Sequence, residues 1–233
     1  MKKISIVVPC FNEKHTIEKI IQNILDSDIG SISKEIIIVD DNSNDGTREI
    51  IKEKIENLVS KVIYHNKNFG KGFAVKSGLD FVTGDVVIIQ DADLEYDPKE
   101  YKKLLIPFLE ADADIVYGSR FLGGGSYVRI HFFWHEIANK SLTFFCNIFT
   151  NLNLSDMETG CKAFKTSAIK SINIQEKSFG FEPEVTIKLA KSKFKFYEVS
   201  VSYKGRSYEE GKKIGFKDAV RALYCIIKYS LFS

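Results

Sequence analysis

The chain has only four cysteines, Cys10, Cys146, Cys161 and Cys225, and they are scattered with no Cys-x-x-Cys pair. That spacing argues against a zinc or disulfide framework and reads as reduced thiols, in keeping with a reducing compartment. No stretch approaches the roughly 18 uninterrupted apolar residues of a membrane span. The start, MKKISIVVPC, runs from a short basic patch straight into a strand pattern and lacks the apolar core and cleavage site of a signal peptide. Neither sign of charge dominates: 33 basic residues stand against 31 acidic ones. No concentrated cationic surface is implied, so nucleic acid is not expected as a partner. Internal repeats, low-complexity tracts and Pro/Ser-rich linkers are also missing. These absences predict one domain over residues 1–233 in a cytoplasmic protein, free or peripheral on the cytoplasmic face of a membrane. Any attachment would be through its surface or a membrane-protein partner.

What is present suits an α/β fold. Of the 233 residues 44% are hydrophobic, enough for one substantial core. Short β-branched runs at Ile4–Val8, Glu35–Val39, Lys61–Tyr64, Val86–Gln90 and Ile115–Tyr117 predict buried strands. Between them, Thr16–Leu25, Thr47–Ile55, Lys71–Val82 and a segment opened by Asp97-Pro98 carry helical signals. Strand and helix alternating in this way give a mostly parallel central sheet flanked by helices, a single Rossmann-like domain. The second half is less regular. A long aromatic-rich helix is expected near 131–152, sheet and helix around Phe164, Ile169 and Ile172, a strand at Tyr197–Tyr203, and an amphipathic helix over Phe216–Leu231.

In parallel sheets ligands bind beyond the carboxyl ends of the strands. Polar clusters follow four of the predicted strands: Pro9-Cys10-Phe11-Asn12-Glu13, Asp40-Asp41-Asn42-Ser43, Gln90-Asp91-Ala92-Asp93-Leu94-Glu95, and Gly118-Ser119-Arg120. One such cluster would merely cap a helix; four predict a site. Asp91 and Asp93 are two residues apart, and in an extended chain both face the same way. Glu95 continues that alternation. These hard oxygen ligands suit Mg²⁺ or Mn²⁺, with phosphate oxygens and water completing the shell. Asp40 or Asp41 is placed to accept hydrogen bonds from a ribose or a base. No Gly-x-Gly-x-x-Gly follows the first strand and no Walker loop occurs. The glycine-rich Asn68-Phe69-Gly70-Lys71-Gly72 reads equally as a close-packing turn and as a phosphate contact.

The strings IVVPCFNE, IIIVDDNSNDGT, NFGKGFAVKSGL, QDADLEYDP and GSRF, in that order, resemble family 2 of the glycosyltransferases, which have the GT-A fold. Downstream, SDMETGCKAFK, FGFEPEV and VSYKGRSYEEGKKIGFKD resemble the branch that glycosylates polyprenyl phosphates, that of the dolichol-phosphate mannose synthases. The resemblance implies a nucleotide-sugar-binding half, 1–117, and an acceptor-binding half, 118–233. It implies that Pro9, Phe11, Glu13, Val39 and Asp41 line the nucleoside pocket, with Asp91, Ala92 and Asp93 at the metal and diphosphate. Glu95 stands where mannose synthases usually carry Gln. Arg120 and Arg206 match arginines that contact phosphates.

The implied reaction inverts the anomeric carbon and moves a sugar from GDP-mannose or a UDP-hexose to a polyprenyl or dolichyl phosphate. An anionic acceptor needs no strong base, only cationic positioning, for which Arg120, Arg129 and Arg206 are suited. Asp93, Arg120 and Arg206 are thus the expected catalytic set. A hydroxyl acceptor would instead require a base, with Asp156, Glu182 and Glu184 as candidates. Helix 131–152 reads either as core or as an interfacial helix with Trp134, Arg129 and Lys140 at lipid headgroups. The alternatives are a soluble saccharide acceptor, a sugar-1-phosphate nucleotidyltransferase, whose Arg/Lys-bearing glycine loop PCFNEK lacks, and a non-catalytic binding protein.

Overall fold

The computed structural model describes residues 1–123, 132–206, 209 and 215–232. In its first half the chain runs β1 (Lys3–Cys10), α1 (Ile17–Asp26), β2 (Ser33–Asp40), α2 (Thr47–Ile50), β3 (Lys61–Tyr64), α3 (Lys71–Leu79), β4 (Val86–Ile89) and α4 (Tyr101–Glu110). It continues with β5 (Ile115–Ser119), α5 (Phe133–Thr150), β6 (Lys162–Lys165), α6 (Thr166–Lys170), α7 (Phe181–Lys191), β7 (Phe196–Ser200) and α8 (Phe216–Phe232).

Valine and isoleucine dominate the central strands, and neighbours in a pleated strand point to opposite faces. Ile4, Ile6 and Val8 of β1 meet one core and Val7 the other; Ile36 and Ile38 oppose Ile37 in β2, and Val86 and Ile88 oppose Val87 and Ile89 in β4. Helices α1 and α4 cover the first face, through Ile17, Ile20, Ile24, Leu104 and Leu105. Helices α3, α5, α7 and α8 cover the second, through Val75, Leu79, Cys146, Val185 and Ile226. All four cysteines are free and buried.

The sheet order is β3-β2-β1-β4-β6-β5-β7, and every neighbouring pair is parallel except those of β6, which runs against both β4 and β5. The sequence only hinted at β6. Its four residues, KAFK, hide their alternation because Lys162 is fully buried and donates to the carbonyls of Met157 and Thr159. Other boundaries also move. The expected helix Thr47–Ile55 is regular only to Ile50 and continues as a wider turn over Ile51–Ile55. The last strand ends at Ser200 rather than Tyr203.

Two devices hold the second layer against the sheet. Gly70 has φ 94°, and a Cβ there would sit 2.4 Å from the carbonyl oxygen of Lys177, so only glycine lets the start of α3 approach segment 176–178. Glu176 in that segment is buried and accepts from Arg221, Lys228 and the Tyr229 hydroxyl of α8. Burial works to raise its carboxyl, but these donors outweigh burial and hold it at about 2.

Because the folded value lies below the ordinary one, the Glu176 contribution is whole above pH 4.5 and is lost as the pH falls to about 2. Glu176→Gln is therefore expected to cost roughly 1–3 kcal/mol at neutral pH. It should also flatten the acid limb of stability across that window. Thermal unfolding followed by circular dichroism over a pH series measures both.

Candidate functional site

A cavity of about 750 Å³ opens at the carboxyl ends of β1, β2, β4 and β5. Pro9, Phe11 and Glu13 line it after β1, Asp41 after β2, and Asp91, Ala92, Asp93 and Glu95 after β4. Arg120 and Arg206 complete the polar wall. Trp134, His135 and Leu142 of α5 and Ala219 and Ala222 of α8 also line the cavity. Val39 does not line the cavity. It is fully enclosed within β2, so its side chain is not among the groups that face the cavity. Arg129 lies outside the described residues.

The acidic segment after β4 is a turn and not an extended strand, which corrects the alternation argument. β4 ends at Ile89, and the Gln90 amide then donates to the carbonyls of Asp91 and Tyr96, while Tyr101 donates to its oxygen. That buried amide folds Asp91–Tyr96 back on itself. Leu94 lies in the left-handed region with φ 64°, which ends any regular alternation between Asp93 and Glu95. The three acids reach one cavity through a bend.

Each acid meets a cation or donor from later in the chain. Asp91 takes Lys71 at 2.9 Å, and the same ammonium reaches Glu182 at 3.0 Å. Asp93 takes Nη2 of Arg206 at 2.9 Å. Glu95 accepts from the Tyr203 hydroxyl at 2.8 Å and the Arg206 backbone N–H at 2.9 Å, and Nη1 of Arg206 lies 3.4 Å from Glu13. Glu95 is thus an anchor for the strap 203–206, a role that its spacing from Asp93 did not suggest. Burial, then the charges of Asp91 and Glu95, push the Asp93 carboxyl up to about 7 against the pull of Arg206. Burial likewise raises Asp91, while Lys71 is held above its ordinary value by Asp91 and Glu182 despite its own burial.

Among the described residues no three His, Cys, Asp or Glu side chains converge tightly enough to hold a metal by themselves. The donors available at Asp91 and Asp93 are nonetheless hard oxygens carrying crowded negative charge, the chemistry that suits a small divalent cation. A cation there would draw its remaining ligands from a bound molecule.

Other expected site residues have structural partners. Arg120 spends its fork on Asp156, with Nε and Nη2 each 2.7 Å from a carboxylate oxygen, and its backbone N–H also donates to Asp156. Its side chain is only 9% exposed and lies over the Tyr203 ring. It borders the cavity as half of a buried ion pair, and a phosphate must share it with Asp156. Asp41 accepts from His65 and from the backbone N–H groups of Phe69 and Gly70, so the glycine-rich loop gives these two donors to a carboxylate. Asp40 is fully buried against Arg48. Of the candidate bases, Asp156 belongs to Arg120, Glu182 to Lys71, and Glu184 accepts from two backbone N–H groups and Lys188.

Sequence reasoning did not single out Lys71, Tyr203 or Glu158, all on the cavity wall. Lys71 was visible as the one cation in the glycine-rich loop. Tyr203 carried no signal because its partner Glu95 lies far off in the chain, and Glu158 carried none because nothing next to it in sequence marks it as part of a cavity wall.

This sheet, with one antiparallel strand inside a parallel set and acids at the strand ends, defines a GT-A fold. The structure of glucosyl-3-phosphoglycerate synthase from Mycobacterium tuberculosis matches with a TM-score of 0.74, over 98% of this chain and 80% of that one, at 19% identity. The family described as glycosyl transferase family 2 matches residues 5–172, and the chain belongs to it. It is 28% identical over 232 residues to a dolichol-phosphate mannosyltransferase of Pyrococcus furiosus, covering 97% of this chain and 64% of that protein. It is 26% identical over 228 residues to an undecaprenyl-phosphate 4-deoxy-4-formamido-L-arabinose transferase of Edwardsiella ictaluri, covering 96% and 66%. The chain thus spans about two thirds of the length of these relatives.

Removing Lys71 leaves Asp91 and Glu182 buried without their shared cation. Lys71→Met is expected to cost about 3–5 kcal/mol, read by urea unfolding at pH 7. A double variant, Lys71→Met with Glu182→Gln, should recover part of the loss.

Proposed function

We propose that the protein transfers a sugar from a nucleoside diphosphate to a polyprenyl phosphate, with inversion at the anomeric carbon. One observation carries this reading. A single cavity joins the acidic turn Asp91–Glu95 to the walls of α5 and α8, whose outer faces are apolar and exposed. Trp134 is 75% exposed, Phe133 67% and Phe232 82%, with Phe144, Ile148, Tyr224 and Leu231 also outward. The two helices pack together, and both carry exposed apolar side chains as well as cavity-lining residues. An acidic floor suits a metal-bound diphosphate, and an apolar rim suits a lipid chain. The two relatives named for dolichol and undecaprenyl phosphate support the same acceptor class.

Pro9, Phe11, Glu13 and Asp41 would form the nucleoside end of the cavity. Asp91 and Asp93 would hold Mg²⁺ or Mn²⁺, which offsets charge on the departing diphosphate. The mycobacterial synthase, crystallised with Mn²⁺ and UDP, supports a divalent ion in this fold. Arg206 sits on a strap at the site and is the cation suited to an incoming phosphate, since its guanidinium binds oxygens as a planar fork. A phosphate arrives already ionised, so no side chain need remove a proton from it. The engagement of Asp156, Glu182 and Glu184 in ion pairs agrees with that.

Among the described residues no helix is long and apolar enough to cross a membrane. The contact with lipid proposed for this chain runs through the exposed faces of α5 and α8, and the cytoplasmic face is where a nucleotide sugar is at hand.

Two measurements test the reading. Arg206→Ala should lower transfer to polyprenyl phosphate by about a hundredfold or more while a nucleotide sugar with Mn²⁺ still raises the melting temperature. An active Arg206→Ala enzyme would sink the phosphate role. In liposome flotation, wild type should rise with vesicles carrying acceptor lipid, and Trp134→Ser with Phe133→Ser should stay below. Equal behaviour of the two would reject the α5 contact.

A further inference from the structure

The strand-end acids are matched by cations, but two oxygens on the cavity wall are not. Oε1 of Glu158 and Oε2 of Glu182 are enclosed and have no hydrogen-bond partner among the described residues. Both residues line the cavity. Glu182 is 4% exposed and uses its other oxygen on Lys71, which in turn holds Asp91. Glu158 leads into Thr159-Gly160, and a Cβ on Gly160 would lie 2.4 Å from Oδ2 of Asp91. The unpaired oxygens therefore belong to the wall next to Asp91. A sugar carried by a diphosphate at Asp91 would be within reach of that wall.

The backbone around Glu158 is held rigidly. The buried ammonium of Lys162 donates to the carbonyls on either side, of Met157 and Thr159. The Thr159 hydroxyl donates to the carbonyl of Gly118, and the Met157 N–H to the Thr143 hydroxyl. Enclosed carboxylate oxygens without partners are rare because they destabilise a fold, and a rigid mount keeps this one from turning away to find water. Burial, and then the charge of Glu182, push the Glu158 carboxyl up to about 8, whereas Glu182 lies below its ordinary value because Lys71 and Lys162 outweigh its burial. Near neutral pH one group then donates and accepts while the other only accepts. A sugar hydroxyl also does both.

We infer that Glu158, together with Glu182, forms the subsite that reads hydroxyl groups of the transferred sugar, and that it takes a neutral sugar and rejects a uronic acid. A sugar carboxylate would bring a third acidic group into the enclosure with no added cation. The inference rests on the donor reading above.

The test compares wild type, Glu158→Leu and Glu158→Gln by calorimetric titration with Mn²⁺, using the pairs UDP and UDP-glucose, and GDP and GDP-mannose. The readout is the ratio of the dissociation constants of the sugar nucleotide and its nucleoside diphosphate. For Glu158→Leu that ratio should rise about tenfold or more, with nucleoside diphosphate affinity kept and a melting temperature no lower than wild type. Glu158→Gln, which still donates and accepts, should stay within about threefold. An unchanged ratio in Glu158→Leu overturns the inference alone. So does a loss of folding in both variants, which would mark Glu158 as a structural group. A wild type that binds none of the four nucleotides overturns the donor reading, and the inference with it.

Discussion

Acids gathered around the cavity, partly or wholly removed from water, must be matched by cations, and much of this molecule is arranged to supply them. Desolvation makes Asp91, Asp93, Asp156 and Glu182 costly as ions unless a positive group lies within hydrogen-bond reach. Lys71 comes from the start of α3, Arg120 from the end of β5, and Arg206 from the strap beyond β7. Each match pins a segment that the sheet alone would leave loose. The strap is tied further by the Tyr96–Tyr203 bridge and by Glu95, so the acidic turn and the strap hold one another in place.

The same matching shapes the chemistry. Asp91 and Asp93 are drawn toward different cations, and burial together with the charges of Asp91 and Glu95 raises the Asp93 carboxyl. A divalent ion delivered with a diphosphate would offset that crowding of negative charge. Where the matching stops, at Glu158 and at one oxygen of Glu182, the wall keeps hydrogen-bonding capacity that the fold does not use. Sites of binding are commonly those where a protein forgoes its own satisfaction.

The outer surface follows a different rule. Helices α5 and α8 bury one side, with Cys146, Cys225, Ile226 and Tyr229, and leave aromatic and aliphatic side chains on the other. Exposed apolar side chains on two helices that also line a cavity with acids on its wall suit a ligand with a charged head and a hydrocarbon tail.

The strands β1, β2 and β4, the parallel sheet and the gathering of Pro9, Glu13, Asp41, Asp91 and Asp93 at one edge were legible in the sequence. Period-two burial and the position of ligands beyond parallel strands are local rules, written in runs of five or six residues. The partners of those residues were not legible. That Glu95 ties the strap, that Arg120 is paired with Asp156 and that Val39 lies inside the core could not be read from the sequence. β6 was only hinted at, around Phe164, because its buried lysine broke the apolar pattern. These outcomes depend on pairings between residues up to 193 positions apart, as for Glu13 with Arg206, and only the closed tertiary structure brings such groups within hydrogen-bond distance. The sequence by itself determined which acids stand at the sheet edge. The tertiary structure decided which of them are neutralised and which remain available to a ligand.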